Sequence, residues 1–293
     1  MSGETLPLSR AERPRRKWLP ALLLPVMLAF AVLGTMLAAA ALAPLLAPYG
    51  IAEQQLLSRL QPPAPLGGDG AHLLGADHLG RDVLSRLLHA LGTTLVIAGA
   101  GVLIGVVTGT IAGLISGSAG GWLDHGFMLL VDAQAAVPLT LLALTAVALV
   151  GTSPLVLVLI VGIADYDKYA RVVRAQVLTV RARTFVEAAR ALGASPLRVA
   201  LRHVLPNIGS PLIVLATINL STVIILESAL SFLGVGVQPP HASLGLMLGE
   251  ARNYLITAWW LAAIPAAAII VLTMTTAMIG DWLRDRLDPN LAA

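Results

Sequence analysis

Residues 184–206 read TFVEAARALGASPLRVALRHVLP, a charged, helix-forming stretch lodged between long apolar ones. Thr184 and Glu187 have the S/T-x-x-E spacing of a capping box, in which two side chains satisfy backbone donors at a helix start. Phe185, Ala188, Ala189 and Leu192 follow at helical spacing, one apolar stripe on a short helix. Gly193 falls where a helix takes a left-handed terminator. Ser195-Pro196 supply an N-cap and a first-turn proline, so a second helix begins at once. Its stripe is Leu197, Ala200, Leu201 and Val204; Arg198 and Arg202 share another face, and Leu205-Pro206 close the segment. The chemistry on offer is recognition. A polar hairpin in an otherwise apolar chain is suited to docking into a soluble partner.

Catalytic chemistry finds little support. The chain has no cysteine, which excludes disulfides, thiolate metal sites and cysteine nucleophiles. It carries no G-x-x-x-x-G-K-[ST] phosphate loop and no H-E-x-x-H, so neither ATP binding of the usual kind nor a zincin site is expected. The six histidines are scattered. His72 and His78 share one loop, but without a third ligand they read as polar loop residues, and no metal site is expected. Asp132 and Glu227 lie within apolar runs, where an ionisable group is a functional candidate by default. A proton-coupled carrier needs such groups near the midplane. Asp132 falls near an inner span end and Glu227 near an outer one, which favours hydrogen-bonded structural roles.

The elements that position these residues follow from composition. Of 293 residues, 57% are hydrophobic and 12% charged, and mean hydropathy is +0.84. Soluble domains carry about 25% charged residues, so this is an all-α polytopic membrane protein. Six spans are expected near residues 18–46, 91–116, 127–150, 154–170, 208–232 and 258–279, each close to the ~20 apolar residues that a bilayer requires. The basic run before residue 18 and the alanines at 38–41 resemble a secretory signal, but the apolar run is too long and five more spans follow. Of 19 Lys and Arg, 15 fall in the N-terminal tail, between the fourth and fifth spans, or after the sixth. The remaining four are Arg59, Arg81, Arg86 and Arg252. The positive-inside rule then places both termini and the 184–206 hairpin in the cytoplasm. The same topology accounts for the pI of about 9.7 without any nucleic acid.

Two further patterns concern packing. Gly101, Gly105, Gly109, Gly113 and Gly117 stand at strict four-residue spacing, a smooth groove along one face of the second span. Asp77, Arg81, Asp82 and Arg86, in HLLGADHLGRDVLSRLL, allow i,i+4 pairs if the segment after Gly80 is an interfacial helix. Near the C-terminus, Arg284 and Asp288 are i,i+4 partners and Pro289 stops the helix.

Several segments resemble one family. Glu187-Ala188-Ala189, then Gly193 and Leu205-Pro206, are similar to the EAA loop of ABC-importer permeases. LGADHLGRDVLSRLL, ESALSFLGVGVQPP with Glu227, Gln238 and Pro239, and GDWLRDRLDPNL resemble the second permease subunit of dipeptide, oligopeptide and nickel importers. The resemblance covers about residues 72–291. It implies a type I permease fold with a cytoplasmic tail at 1–17, a first span and external loop at 18–90, a core at 91–282, and a tail at 283–293. It also implies ATPase coupling through Glu187, Ala188, Ala189, Leu192, Gly193, Arg198 and Pro206. The implied partners are a homologous second permease subunit, two ATPase subunits that hold ATP and Mg, and an external substrate-binding protein. The implied location is a bacterial inner membrane, with no catalysis and no cofactor on this chain. Import of nickel or a metal chelate remains the alternative within the class. A secondary transporter would show inverted repeats with broken helices, and a channel a selectivity motif; neither is visible.

Overall fold

In a computed structural model, residues 19–68 and 70–287 are described. They are mostly helical, and no strand forms among them beyond one isolated bridge, Ala76 to Asp82. In chain order the helices are α1 (Leu19–Ala41), α2 (Ala43–Leu46), α3 (Val83–Ala119), α4 (Gly121–Ala135), α5 (Leu139–Val150), α6 (Pro154–Ala164), α7 (Tyr166–Arg181), α8 (Thr184–Ala191), α9 (Pro196–Val199), α10 (Leu205–Phe232), α11 (Leu244–Ala251) and α12 (Trp260–Leu287). Among the described residues, four helices are long and apolar enough to cross a membrane: α1, α3, α12, and the continuous rod Pro196–Phe232 that joins α9 to α10. The pair α4 and α5 makes a fifth if it counts as one span bent by 90°. The expected fourth span is divided at Asp165, and its second half, α7, is amphipathic and extends to Arg181. The N-terminal tail and the Arg284–Asp288 pair fall outside the described residues.

At the centre is α3, which touches α1, α4, α6, α7, α10 and α11. Its tightest neighbours lie along the glycine groove. A Cβ at Gly101 would stand 3.0 Å from Val161, and one at Gly105 would stand 3.1 Å from the Tyr169 ring. At Gly109 it would meet the Tyr166 carbonyl oxygen and Tyr169 Cβ at 2.5 Å, and at Gly113 the Ala170 carbonyl at 2.6 Å. At Gly117 it would meet Val177 at 2.8 Å. At Gly109 and Gly113 the nearest atoms are backbone carbonyl oxygens, so no larger residue fits there without moving the helices apart. Lipid provides no hydrophobic drive between helices, so close packing through small residues supplies the attraction instead.

The loop before α3 is folded. Leu60 N donates to Asp77 O at 3.0 Å, Ala76 N to Gln61 O at 3.0 Å, and Gln55 N to Gly80 O at 3.1 Å. Asp82 is the N-cap of α3: its Oδ2 accepts from Ser85 N and Ser85 Oγ, both at 2.7 Å. The expected Asp82–Arg86 pair therefore does not form, because Asp82 is engaged in capping. The reading of His72 as a polar loop residue also needs correcting. It is buried, and its Nδ1 lies 3.0 Å from Asp82 Oδ1.

The seam generates a contrast. Gly109→Ala forces the α3–α7 backbones apart and should destabilise the protein by about 1–3 kcal/mol. Gly99→Ala, on the same helix where a Cβ meets nothing within 4 Å, should be neutral or mildly stabilising. Thermal unfolding in detergent compares the two; equal melting temperatures would remove the seam from the packing account.

Candidate functional site

The hairpin forms, by partly different means from those its residues suggest. Helix α8 begins without a capping box: Arg183 is the N-cap, no side chain caps it, and Thr184 is already helical. The C-terminal end is a Schellman motif. Gly193 N donates to Arg190 O at 2.9 Å and Ala194 N to Ala189 O at 3.1 Å, with Gly193 at φ +84°. Ser195 Oγ accepts from Arg198 N at 3.4 Å and starts α9. A π turn over Ala200–Val204 then leads into α10, with Leu205 N donating to Ala200 O. Pro206 follows at once. A proline ring crowds the carbonyl one turn back, and the wider π turn gives it room.

The burial pattern divides the expected stripes: Ala200 and Val204 of the second are buried, while the large residues of both are exposed. Val186, Val199, Ala200 and Val204 are buried, three of them in one cluster with Tyr169, Val173, Val177, Val180 and Ile208. Phe185 and Leu192 of the first stripe, and Leu197 and Leu201 of the second, are exposed; Leu192 is 89% exposed and Leu197 69%. Glu187, Ala188, Gly193, Arg198, Arg202 and Pro206 are exposed as well, and Ala189 is half-buried. The hairpin is seated on a valine floor and turns an apolar ridge flanked by arginines outward. Isolated exposed leucines are ordinary, but a contiguous apolar set on a rigid element marks an interaction surface.

Next to the hairpin, the C-terminal end of α3 is tied down by charge. Arg174 makes a two-pronged contact with Asp124, Nε to Oδ1 at 2.6 Å and Nη2 to Oδ2 at 2.7 Å. Ser116 Oγ also donates to Asp124, and Arg181 donates to the Gly117 carbonyl. Asp132 is mostly exposed and pairs with Arg171 at 3.3 Å.

At the other end of the molecule, Glu227 is fully buried in α10. Ser231 Oγ donates to its Oε1 at 2.7 Å and Ser228 Oγ to its Oε2 at 3.5 Å, while Val237 N donates to Ser231 Oγ at 3.1 Å. The carboxyl group thus anchors the loop that follows α10. Gln238 folds back to donate to the Gly234 and Gly236 carbonyls, and Pro239, in a cis bond to Pro240, is exposed.

A second charge cluster closes the outer loop onto α11. Arg86 Nη1 lies 2.5 Å from Asp77 Oδ2 and 2.7 Å from Glu250 Oε2. Arg81 lies 2.6 Å from Asp77 and 3.0 Å from Glu250. His78 stacks on Tyr254, with ring centroids 5.4 Å apart. Ligand atoms of Asp77, His78 and Glu250 lie within 4.8 Å of one another, but the two guanidinium groups already neutralise both carboxylates, so a cation there would be repelled. Glu250 is 169 residues from Arg81, and nothing local in the chain marks it as their partner.

The family described as binding-protein-dependent transport system inner membrane component matches residues 109–293. A di/tripeptide transport system permease protein of Pseudomonas aeruginosa is 40% identical over 250 residues, 85% of this chain and 82% of the relative. A glutathione transport system permease protein of Shigella flexneri is 42% identical over 220 residues, covering 75% and 73% of the two chains. A dipeptide transport system permease protein of Haemophilus influenzae is 38% identical over 251 residues, covering 85% of each. Among solved structures, the inward-facing MetNI methionine ABC transporter shares the fold, with a TM-score of 0.56 at 21% identity over 69% of this chain and 96% of that one.

The loop cluster should loosen in acid. Burial by itself would raise the Asp77 pKa, but the Arg86 and Arg81 charges and the Arg81 and Leu79 amides hold it below 3.8. Burial pushes His78 below 6.5, against the pull of Asp77 and Glu250. Protonation of either group is disfavoured in the folded state, so both contributions shrink as pH falls, His78 first below 6.5 and Asp77 below 3.8. Hydrogen exchange in residues 55–82 should rise through those windows, and Asp77→Asn should raise it already at pH 7. Protection independent of pH from 7 to 3 would refute the clamp.

Proposed function

This chain belongs to the family of binding-protein-dependent transport system inner membrane components, and we propose that it is a permease subunit of an ATP-driven importer of short peptides. Its named relatives carry di- and tripeptides, dipeptides and glutathione, which favours a peptide over nickel or a metal chelate. The chain has no phosphate loop, so energy arrives through partners: two ATPase subunits that bind ATP and Mg, with an external binding protein delivering the substrate. A homologous second permease subunit completes the pathway. In this reading the chain crosses a bacterial inner membrane six times, with α6–α7 counted as the fourth span, and both termini and the hairpin are cytoplasmic, which the Lys/Arg distribution supports.

One observation carries this reading: an exposed apolar ridge mounted on a rod that crosses the bundle. Helix α9 runs without a break into α10, so a partner that grips Leu197 and Leu201 pulls directly on a transmembrane helix. The valine floor under α8 and α9 transmits the same displacement to α7 and, through the glycine seam, to α3. ATP-driven closure of the ATPases then switches the cavity between outward and inward access, a two-state element biased by nucleotide. Arg198 and Arg202 supply charge at the rim, where they favour encounter and register more than affinity.

Gly193 allows the tight reversal between α8 and α9. Gly193→Val places a β-branched residue at a left-handed position, at about 1–2 kcal/mol or more. Membrane insertion should be normal while uptake falls. Topology is open to cysteine labelling, since the chain has no native cysteine. Ala194→Cys should react only from the cytoplasmic side and be shielded when the ATPases bind. Labelling by an impermeant reagent outside intact cells, or full uptake in Gly193→Val, would overturn the coupling role.

A further inference from the structure

Helices α4 and α5 meet at a 90° bend. Pro138 has no amide with which to continue the helix, and no side chain caps the start of α5, so the first amides of α5 keep no helical partner. Residues 135–138, 140 and 141 are exposed. The depth of the bend follows from α3. A hydrocarbon core takes about 20 helical residues, and any stretch of that length within the 37 residues of Val83–Ala119 includes Gly101. A Cβ at Gly162 would stand 2.9 Å from the Gly101 carbonyl oxygen. Gln134, just before the bend, donates to the neighbouring carbonyls of Ile163 and Ala164 at 3.1 and 2.9 Å. The bend therefore lies within the hydrocarbon core. Exposed irregular backbone at that depth does not face acyl chains; protein covers it, or it lines a water-filled cavity.

Two hollows beside α5 decide between those options. One lies between α5 and α6, with Leu142 and Val150 on one wall and Leu159 and Ile163 on the other, and measures about 280 Å³. The second occupies the elbow of the bend, lined by Val137, Leu141 and Thr145, and measures about 450 Å³. Gln134 borders both. Thr145 turns its hydroxyl back to the Leu141 carbonyl at 2.8 Å, so the walls are apolar. Each hollow exceeds the ~150 Å³ of an apolar cavity that stays dry and accepts a benzene ring. Water gains little from such walls, whereas an aromatic or branched aliphatic side chain fits them. The backbone of the bend wants hydrogen bonds and the hollows want bulky apolar groups. Only protein brings both.

We infer that the α4–α5 bend, with the hollows on either side of α5, is the face on which the second permease subunit packs. The inference rests on the importer reading and deepens it. Of the partners in that reading, the ATPases and the binding protein lie outside the bilayer, so the second permease is the one that reaches this depth. Helices in lipid associate through close packing and hydrogen bonds, without a hydrophobic drive. This face offers both, as sockets for bulky side chains and as backbone groups at the bend. Leu149, 82% exposed, and Val150, 67% exposed, extend it along α5. Gln134 acts as a positioning residue: by tying the elbow to the end of α6, it keeps the sockets formed before the partner arrives, which lowers the ordering cost of association.

The test uses the complete importer, with both permease subunits, the ATPases and the binding protein, in proteoliposomes. A photo-reactive benzoylphenylalanine replaces Leu141 or Ile163 in turn, and Leu28 of α1, 62% exposed, as the control. Light should join the first two positions to the second permease subunit and give far less of that product at the third. Ala146→Trp fills the hollow beside α6. It should lower recovery of the second permease with this chain about tenfold, within the range of an overpacking cost, while the chain still inserts. The light-induced products decide the matter even where that variant fails to insert. Products with lipid alone, or with a second copy of this chain, at both positions would overturn the inference. So would a Leu141→Cys variant that a water-borne thiosulfonate modifies in the assembled importer, which would make the bend a wall of an aqueous path. If no second permease co-purifies with the wild-type chain, the importer reading falls and this one with it; co-purification without the products sinks this inference alone.

Discussion

The fold depends on a contact made by the absence of side chains. Along α3 the backbone meets α6 and α7 so closely that a single added carbon at Gly109 or Gly113 would overlap a carbonyl group. In water, an apolar surface would pull these helices together; between lipid tails, it does not. Dispersion and close backbone approach supply the attraction, and they fall off within an ångström. The seam therefore holds α3 and α7 as one body. Everything that must move or stay still in this protein does so relative to that body.

Charge then locks the ends of the seam. At the end near the hairpin, Asp124 holds Arg174 and Ser116, joining α3, α4 and α7. At the far end, Asp77 and Glu250 share Arg81 and Arg86, joining the loop before α3 to α11. Glu227 adds a node fastened by serine hydroxyls just inside that end. These ion pairs sit at the ends of the long apolar helices and not along their middles, which keeps their desolvation cost down.

The floor and the ridge of the hairpin are different residues. Valines at 186, 199 and 204 point into the body, while leucines at 192, 197 and 201 point away from it. The π turn before Pro206 carries α9 into α10 as one helix, Pro196–Phe232.

Much of this was legible in the chain itself. Local patterns act over a few residues, and they identified the long apolar helices α1, α3, α10 and α12, the glycine groove, the terminator at Gly193 and the N-cap at Ser195, but not the division of the expected fourth span at Asp165. Matching of longer segments pointed to the family. The failures share one cause, since a side chain's neighbours across the fold compete with its neighbours in sequence. Thr184–Glu187 has capping-box spacing, yet Arg183 takes the cap position. Asp82 is spaced to pair with Arg86, yet it caps α3, and Arg86 turns to Glu250 from a distant segment. Periodicity found the stripe of Phe185 and Leu192 but could not tell a face that packs from a face left bare, because both are apolar. The chain by itself determined where helices form and which class of protein they build. Only the tertiary structure decided which way each face points and which charges meet, because those choices rest on contacts between residues that the sequence holds far apart.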